Sequence, residues 1–217
     1  MAGWGEYILA FAVFFISHGV PVRPAVKARL VARLGARGFS IAYSALSIFV
    51  LAWLIVAAGR APYVELWPRA PWQAWVPLVL MAIATAILAL AIARPNPLSF
   101  GGAHNARFDP ANAGIVGWTR HPLLAAIALW AGAHIVPNGD LAHVLLFAVF
   151  LGFALLGMRL IDRRKRRQFG KDWERLAATS RRLSVTVDGA MRLALGLGVY
   201  AFLLWLHGPV IGVYPWP

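Results

Sequence analysis

The chain has 217 residues, 60% of them hydrophobic and 13% charged, with a formal net charge of +13 and a mean hydropathy of +0.68. A soluble domain is about a quarter charged and less than half apolar, so a water-soluble globule is excluded. With no cysteine, disulfides, thiolate ligands, iron–sulfur clusters and thiol nucleophiles are excluded too.

The apolar runs approach the roughly 20 residues that cross a bilayer as a helix, and they lack the alternation of barrel strands. The expected class is therefore all-α: a polytopic transmembrane bundle of about six spans in one domain covering residues 1–217. The first span runs from about Trp4 to Val20 and stops at Pro21. It carries Glu6 and no basic residue before its apolar run, so it reads as a retained span rather than a signal peptide. The second covers about Ile41 to Ala58. The third covers about Ala74 to Ala93, with Pro77 tolerated in its first turn. A long loop rich in glycine, proline and asparagine, Arg94 to Thr119, leads to a short fourth span, Pro122 to Val136. Loops of that length are commonly functional. The turn "PNGD" precedes the fifth span, Leu141 to Leu160, and the sixth runs from Met191 to His207.

Charge orients these spans. Every lysine and arginine except Arg60 and Arg69 falls on one side of the expected topology, including the dense run from Arg159 to Arg182. The positive-inside rule makes that side cytoplasmic, so both termini face outward and the protein belongs in the inner membrane. Trp67, Trp72, Trp75, Tyr214 and Trp216 then form an outer interfacial belt. The cationic segment after the fifth span reads as an amphipathic extension against anionic lipid heads rather than a nucleic-acid surface.

Ionisable groups within spans are the candidates for function, because hydrocarbon is an expensive place for them. Carboxylates are scarce there, which leaves histidine. His18 ends the first span, His121 opens the fourth, His134 lies near its far end, and His207 closes the sixth. His143 begins the fifth, and His104 lies in the long loop. Imidazole pairs suit a b-type haem held between membrane helices. Phe11, Phe14 and Phe15 share the helical face of His18, and Trp130 shares that of His134, so flat aromatic walls are available. The competing reading is that these histidines hydrogen-bond between helices and the aromatics pack. In "TRHP", Pro122 suits a helix start, and Arg120 with the free amides of that turn forms a possible anion site, or a simple cap on a lipid phosphate. Ser17, Ser99, Thr119 and Ser180 offer hydroxyls, but no Ser–His–carboxylate grouping is evident along the chain, so nucleophilic catalysis is not expected.

Three stretches carry a resemblance: "SHGVPVRPAVKARLVARLGARGFSIAYSALS", "APYVELW" and "RPNPLSFGGAHNARFDPANAGIVGWTRHPLLAAIALWAGAHIVPNGDLAH". With "FGKDWERLAATS" and the closing "LHG", they make the chain resemble the NnrU family of bacterial membrane proteins over nearly its whole length. That resemblance implies a role in denitrification and nitric-oxide metabolism, as a redox or accessory component beside nitrite or nitric-oxide reductase machinery. The plant 15-cis-zeta-carotene isomerase, a haem b enzyme, looks like a distant relative. This second likeness implies a polyene isomerase as an alternative and names His18 and His134 as iron ligands. Its alternative cysteine ligand corresponds to Ala131 here, so a thiolate switch is not available. A weaker likeness is to isoprenylcysteine-type methyltransferases, where an "RHP" element precedes a basic helix that helps hold S-adenosylmethionine. Those enzymes show an acidic pair where this chain has Asp162 followed by Arg163. The plainest alternative is a non-catalytic membrane accessory.

The expected topology raises one geometric problem for the transferred ligands. His18 and His121 fall at one membrane level, and His134 and His207 at the other, about 20 Å away at about 1.5 Å per helical residue. His121 and His207 therefore stand as rival ligands, in the pairs His18/His121 and His134/His207.

Overall fold

The computed structural model describes residues 2–182 and 184–217. They form seven α-helices: α1 (Ala2–Gly19), α2 (Pro24–Arg60), α3 (Trp75–Ala91), α4 (Pro122–Ile135), α5 (Leu141–Phe169), α6 (Asp172–Ala177) and α7 (Val187–Ile211). No β-strand forms among the described residues; Glu65 and Asp140 make an isolated antiparallel bridge. Among the described residues four helical segments are long and apolar enough, by length and composition, to cross a membrane: Pro24–Arg60, Pro71–Ala91, Leu141–Phe169 and Val187–Ile211. Four of the six expected spans meet this measure among the described residues. α4 has only 14 residues, about 21 Å at 1.5 Å per residue, against a hydrocarbon core of about 30 Å.

The second helix departs most from expectation. It begins seventeen positions before Ile41, with Pro24 in its first turn, and absorbs Lys27, Arg29 and Arg33 into a cationic helical segment. At Gly35 the backbone turns to φ 71°, ψ 164°, and the apolar part resumes beyond it. That region of backbone space is open essentially to glycine alone. Gly35→Ala is expected to lower the thermal midpoint of the detergent-solubilised protein through about 1–3 kcal/mol of backbone strain. Gly59→Ala, in helical backbone with open space around the added Cβ, is the control and should be neutral or slightly stabilising. A matching loss in both variants would show that φ at Gly35 is not the cause.

The chain divides into two compact units. The first comprises Met1–Trp67 and Asp140–Leu146. Here α1 packs against α2, so closely that a Cβ on Gly3 would lie 2.7 Å from the Arg60 carbonyl oxygen. Tyr7, Ala10, Phe14, Val50, Leu54 and Ala57 are buried between them. Tyr7 donates its hydroxyl to the Ala142 carbonyl at 2.6 Å, and the Leu141 amide bonds the Val64 carbonyl at 2.8 Å.

The second unit comprises Pro68–Gly139 and Phe147–Pro217. α3 is its centre and packs against both α4 and α7. Gly196 allows the α7 contact: a Cβ there would sit 2.8 Å from Ala89 Cβ. Small buried residues, Ala131 and Ala133, line α4, which meets α5 where Leu124 lies over Gly157. Close approach through small side chains is how helices associate when apolar surface itself has no reason to leave lipid. The outer surfaces are correspondingly apolar, with Ile48, Phe49, Leu195 and Trp205 all exposed.

Candidate functional site

The long loop between α3 and α4 is ordered by its own polar side chains. Buried Asn96 accepts from the Leu98 amide at 3.1 Å through Oδ1 and donates from Nδ2 to the Arg120 carbonyl at 3.0 Å. Asn105 Oδ1 in turn accepts the Asn96 amide at 2.8 Å. Gly102 lies against this knot, since a Cβ there would come within 2.8 Å of the Asn96 backbone. Beneath it Leu98, Val116 and Trp173 form a small core with Phe108, Ile115, Phe169 and Leu176. The loop is therefore pinned to the end of α5 and to α6.

That pinning brings together residues distant in sequence. His121, 4% exposed, lies with Nδ1 3.0 Å from Ser99 Oγ and Nε2 3.0 Å from Asp162 Oδ1. Arg120 grips the same carboxylate with both arms of its fork, Nε at 3.3 Å and a terminal nitrogen at 2.9 Å. An ionised carboxylate only accepts, so the proton on His121 belongs to Nε2 and is donated to Asp162. Nδ1 then accepts from the Ser99 hydroxyl. Arg120 and Arg166 also flank the Trp173 ring, at 5.9 Å and 5.6 Å from its centroid. Arg120 is thus committed to Asp162 and Trp173 rather than standing free at the turn, as its sequence context suggested.

A serine, a histidine and an aspartate do meet here, contrary to the expectation from sequence spacing. The signal that could have found Asp162 is its isolation: it is a lone acid at the head of the basic run "DRRKRR". Ser99 is itself buried and the Asp162 charge is shared with Arg120, so the arrangement locks the loop to α5.

Burial pushes the His121 imidazole below its ordinary value of 6.5, against the smaller upward pull of Asp162. The sign of the linkage follows. A neutral ring in the fold means that the unfolded chain binds the extra proton first. Stability is complete above the ordinary value and is lost as pH falls through the depressed one. Thermal midpoints measured from neutral to mildly acidic pH are expected to fall, and His121→Gln should flatten that step. An unchanged slope in His121→Gln would place the titrating group elsewhere.

The family model described as "NnrU protein" matches residues 6–215. The chain belongs to the NnrU family. No curated protein and no solved structure matches it.

The other histidines of this NnrU-family chain differ from His121 in one respect. His18, in the first unit, places Nδ1 2.8 Å from the Phe14 carbonyl oxygen. In the second unit His134 does the same with the Trp130 carbonyl at 2.7 Å, and His207 with the Val213 carbonyl at 2.6 Å. A carbonyl only accepts, so each ring donates through Nδ1, which in a neutral imidazole makes Nε2 the nitrogen with the lone pair. Metal-ligating histidines are characteristically held this way. Aromatic rings flank two of them: Phe14 stacks on His18 at 4.1 Å, while Phe147 and Trp130 lie 5.3 Å and 5.9 Å from His134. His143 instead pairs with Asp140 at 2.8 Å, and His104 sits in left-handed backbone at φ 53°. Among the described residues no three side chains of the His, Asp and Glu type gather to hold a bare metal ion.

Proposed function

We propose that this NnrU-family chain is an integral inner-membrane protein that binds b-type haem through His134 and acts as a redox or accessory component of nitric-oxide metabolism. The observation that carries the reading is the His134 ring: Nδ1 is tied to the Trp130 carbonyl at 2.7 Å, Nε2 is left as a lone pair, and Phe147 and Trp130 flank it. The residues fit the group, since a haem iron asks the protein for one or two imidazoles and a dry aromatic wall rather than a three-residue cluster. Family likeness gives the second ligand to His18; His207, the rival in the same unit as His134, has the same carbonyl-tied Nδ1. His121 is left out of the ligand set, because Ser99 and Asp162 engage both its nitrogens. Bound haem would supply a one-electron couple and an iron that takes nitric oxide. The chain itself fixes the ligating tautomer, orients the ring and keeps water from it.

The lysines and arginines between spans orient the protein with its basic loops in the cytoplasm and both termini outside, among membrane lipid. The loop pinned by Asp162 then faces the cytoplasm, where partner reductases or their assembly factors would meet it. The absorbance spectrum of protein purified from haem-replete cells, oxidised and then dithionite-reduced, tests the reading. A Soret band that shifts on reduction and again with nitric oxide is expected. A colourless protein would overturn it.

A further inference from the structure

A groove of about 600 Å3 runs between α3 and α7 in the second unit. Its walls are apolar, with Leu88, Ile92, Leu195 and Val199 among them, and Thr85 offers only its methyl because its hydroxyl is bonded back to the Met81 and Ala82 carbonyls. One end is charged. Asp188 there holds Arg94 and the Nε of Arg192 at 3.1 Å, while a terminal nitrogen of Arg192 bonds the Ile92 carbonyl at 2.8 Å and the Ala89 carbonyl at 3.3 Å. Asp188 and Arg94 keep 58% and 44% of their side chains exposed, so this end is open to a ligand.

The dimensions match one lipid leaflet. From Asp188 to Val199 along α7 is about 16 Å at about 1.5 Å per residue, against about 15 Å for half a hydrocarbon core. The charged end then stands at headgroup level, with the apolar trough reaching the midplane. Two guanidinium groups beside one carboxylate present a positive pair and a negative point. A carboxylate has about four acceptor positions, and among the described residues only two N–H groups reach it, one from Arg94 and the Nε–H of Arg192 shared between both oxygens. The rest of its acceptor capacity is open to a further donor.

We propose that this groove binds an ethanolamine phospholipid, with one acyl chain between α3 and α7, its phosphate on Arg94 and Arg192, and its ammonium on Asp188. Phosphatidylcholine carries the same phosphate but no N–H to give Asp188. Phosphatidylglycerol has the phosphate and no cation, so Asp188 repels it. The choice among the three rests on that one carboxylate, and on nothing in the haem reading.

Native mass spectrometry of the full chain in detergent, with added phospholipids of identical chains, tests the site. The ethanolamine lipid should be retained about tenfold more tightly than the choline or glycerol lipid, the worth of one charge-assisted hydrogen bond. Asp188→Asn should erase the preference over choline. Met191→Trp, from an exposed position on the groove wall, should weaken all three. Arg94→Gln, which leaves the Asp188–Arg192 pair in place, removes a phosphate partner common to all three lipids, so it should weaken all three while keeping the ethanolamine preference, and serves if Asp188→Asn does not fold. Equal retention of ethanolamine and choline lipids, preference for the glycerol lipid, or unchanged binding in Met191→Trp would each overturn the proposal.

Discussion

His134→Ala, expressed in haem-replete cells, is expected to come out of the membrane folded and without a Soret band. The side chain removed is the one whose Nδ1 is already tied to the Trp130 carbonyl and whose Nε2 is left as a lone pair. An iron–imidazole bond is not replaced by an apolar neighbour, and Trp130 and Phe147 beside the vacated position offer none. Adding imidazole to the purified variant with free haem should restore the band, because the missing ligand is then supplied from solution. His121→Ala should keep its colour, since that ring is engaged at both nitrogens. The same spectra of His18→Ala and His207→Ala decide the second ligand: whichever converts a six-coordinate low-spin spectrum to a five-coordinate one provides it. Full absorbance in His134→Ala would remove the ligand role altogether.

The second large effect concerns stability rather than colour. Asp162→Ala deprives buried His121 of the acceptor for its Nε2 proton and frees both arms of Arg120. An unsatisfied buried donor costs about 1–3 kcal/mol. The Arg120 share is smaller, because 39% of its side chain is exposed and water can take over its bonds. A total of about 2–3 kcal/mol corresponds to a drop of roughly 5–10 °C in thermal midpoint for a chain of this size. Asp162→Asn keeps one carbonyl oxygen for His121 and loses the charge for Arg120, so its drop should be smaller. Equal stability of the alanine variant and the parent would mean that the loop is not held through this carboxylate.

These two experiments touch parts of the molecule that differ in how far the linear chain announces them. His134 is legible: a histidine near the end of an apolar run, four residues after Trp130, is conspicuous in a segment with little else that ionises. Its role in holding a particular tautomer is local too, because the acceptor is the carbonyl four residues earlier on the same helix. Asp162 is not legible in this way. Its partners lie 42 and 41 residues upstream across a loop and a helix. In the chain it reads as one acid diluted in a basic tract. Ser99 is equally mute, since nothing in "NPLSF" says which histidine it will meet.

The helices divide along the same line. α3 and α7 follow from apolar content, and Pro77 falls in the first turn of α3, where its missing N–H has no consequence. The length of α2 does not follow, because its first ten residues are cationic and read as a loop. They become helical because Pro24 starts the helix and Gly35 can take the positive φ that separates the charged part from the apolar part. Neither fact shows in hydropathy.

Composition and charge distribution by themselves determined that this protein is helical and apolar enough for a membrane, because burying backbone in hydrocarbon leaves few other solutions and that rule acts residue by residue. Only the tertiary structure decided that Arg120, His121, Ser99 and Asp162 form one lock, that Gly196 brings α7 onto α3, and that Arg94 and Arg192 share Asp188 at the end of a groove. Those are pairings between groups far apart in the chain. Hydrogen-bond geometry and close packing select each partner only once the helices are side by side.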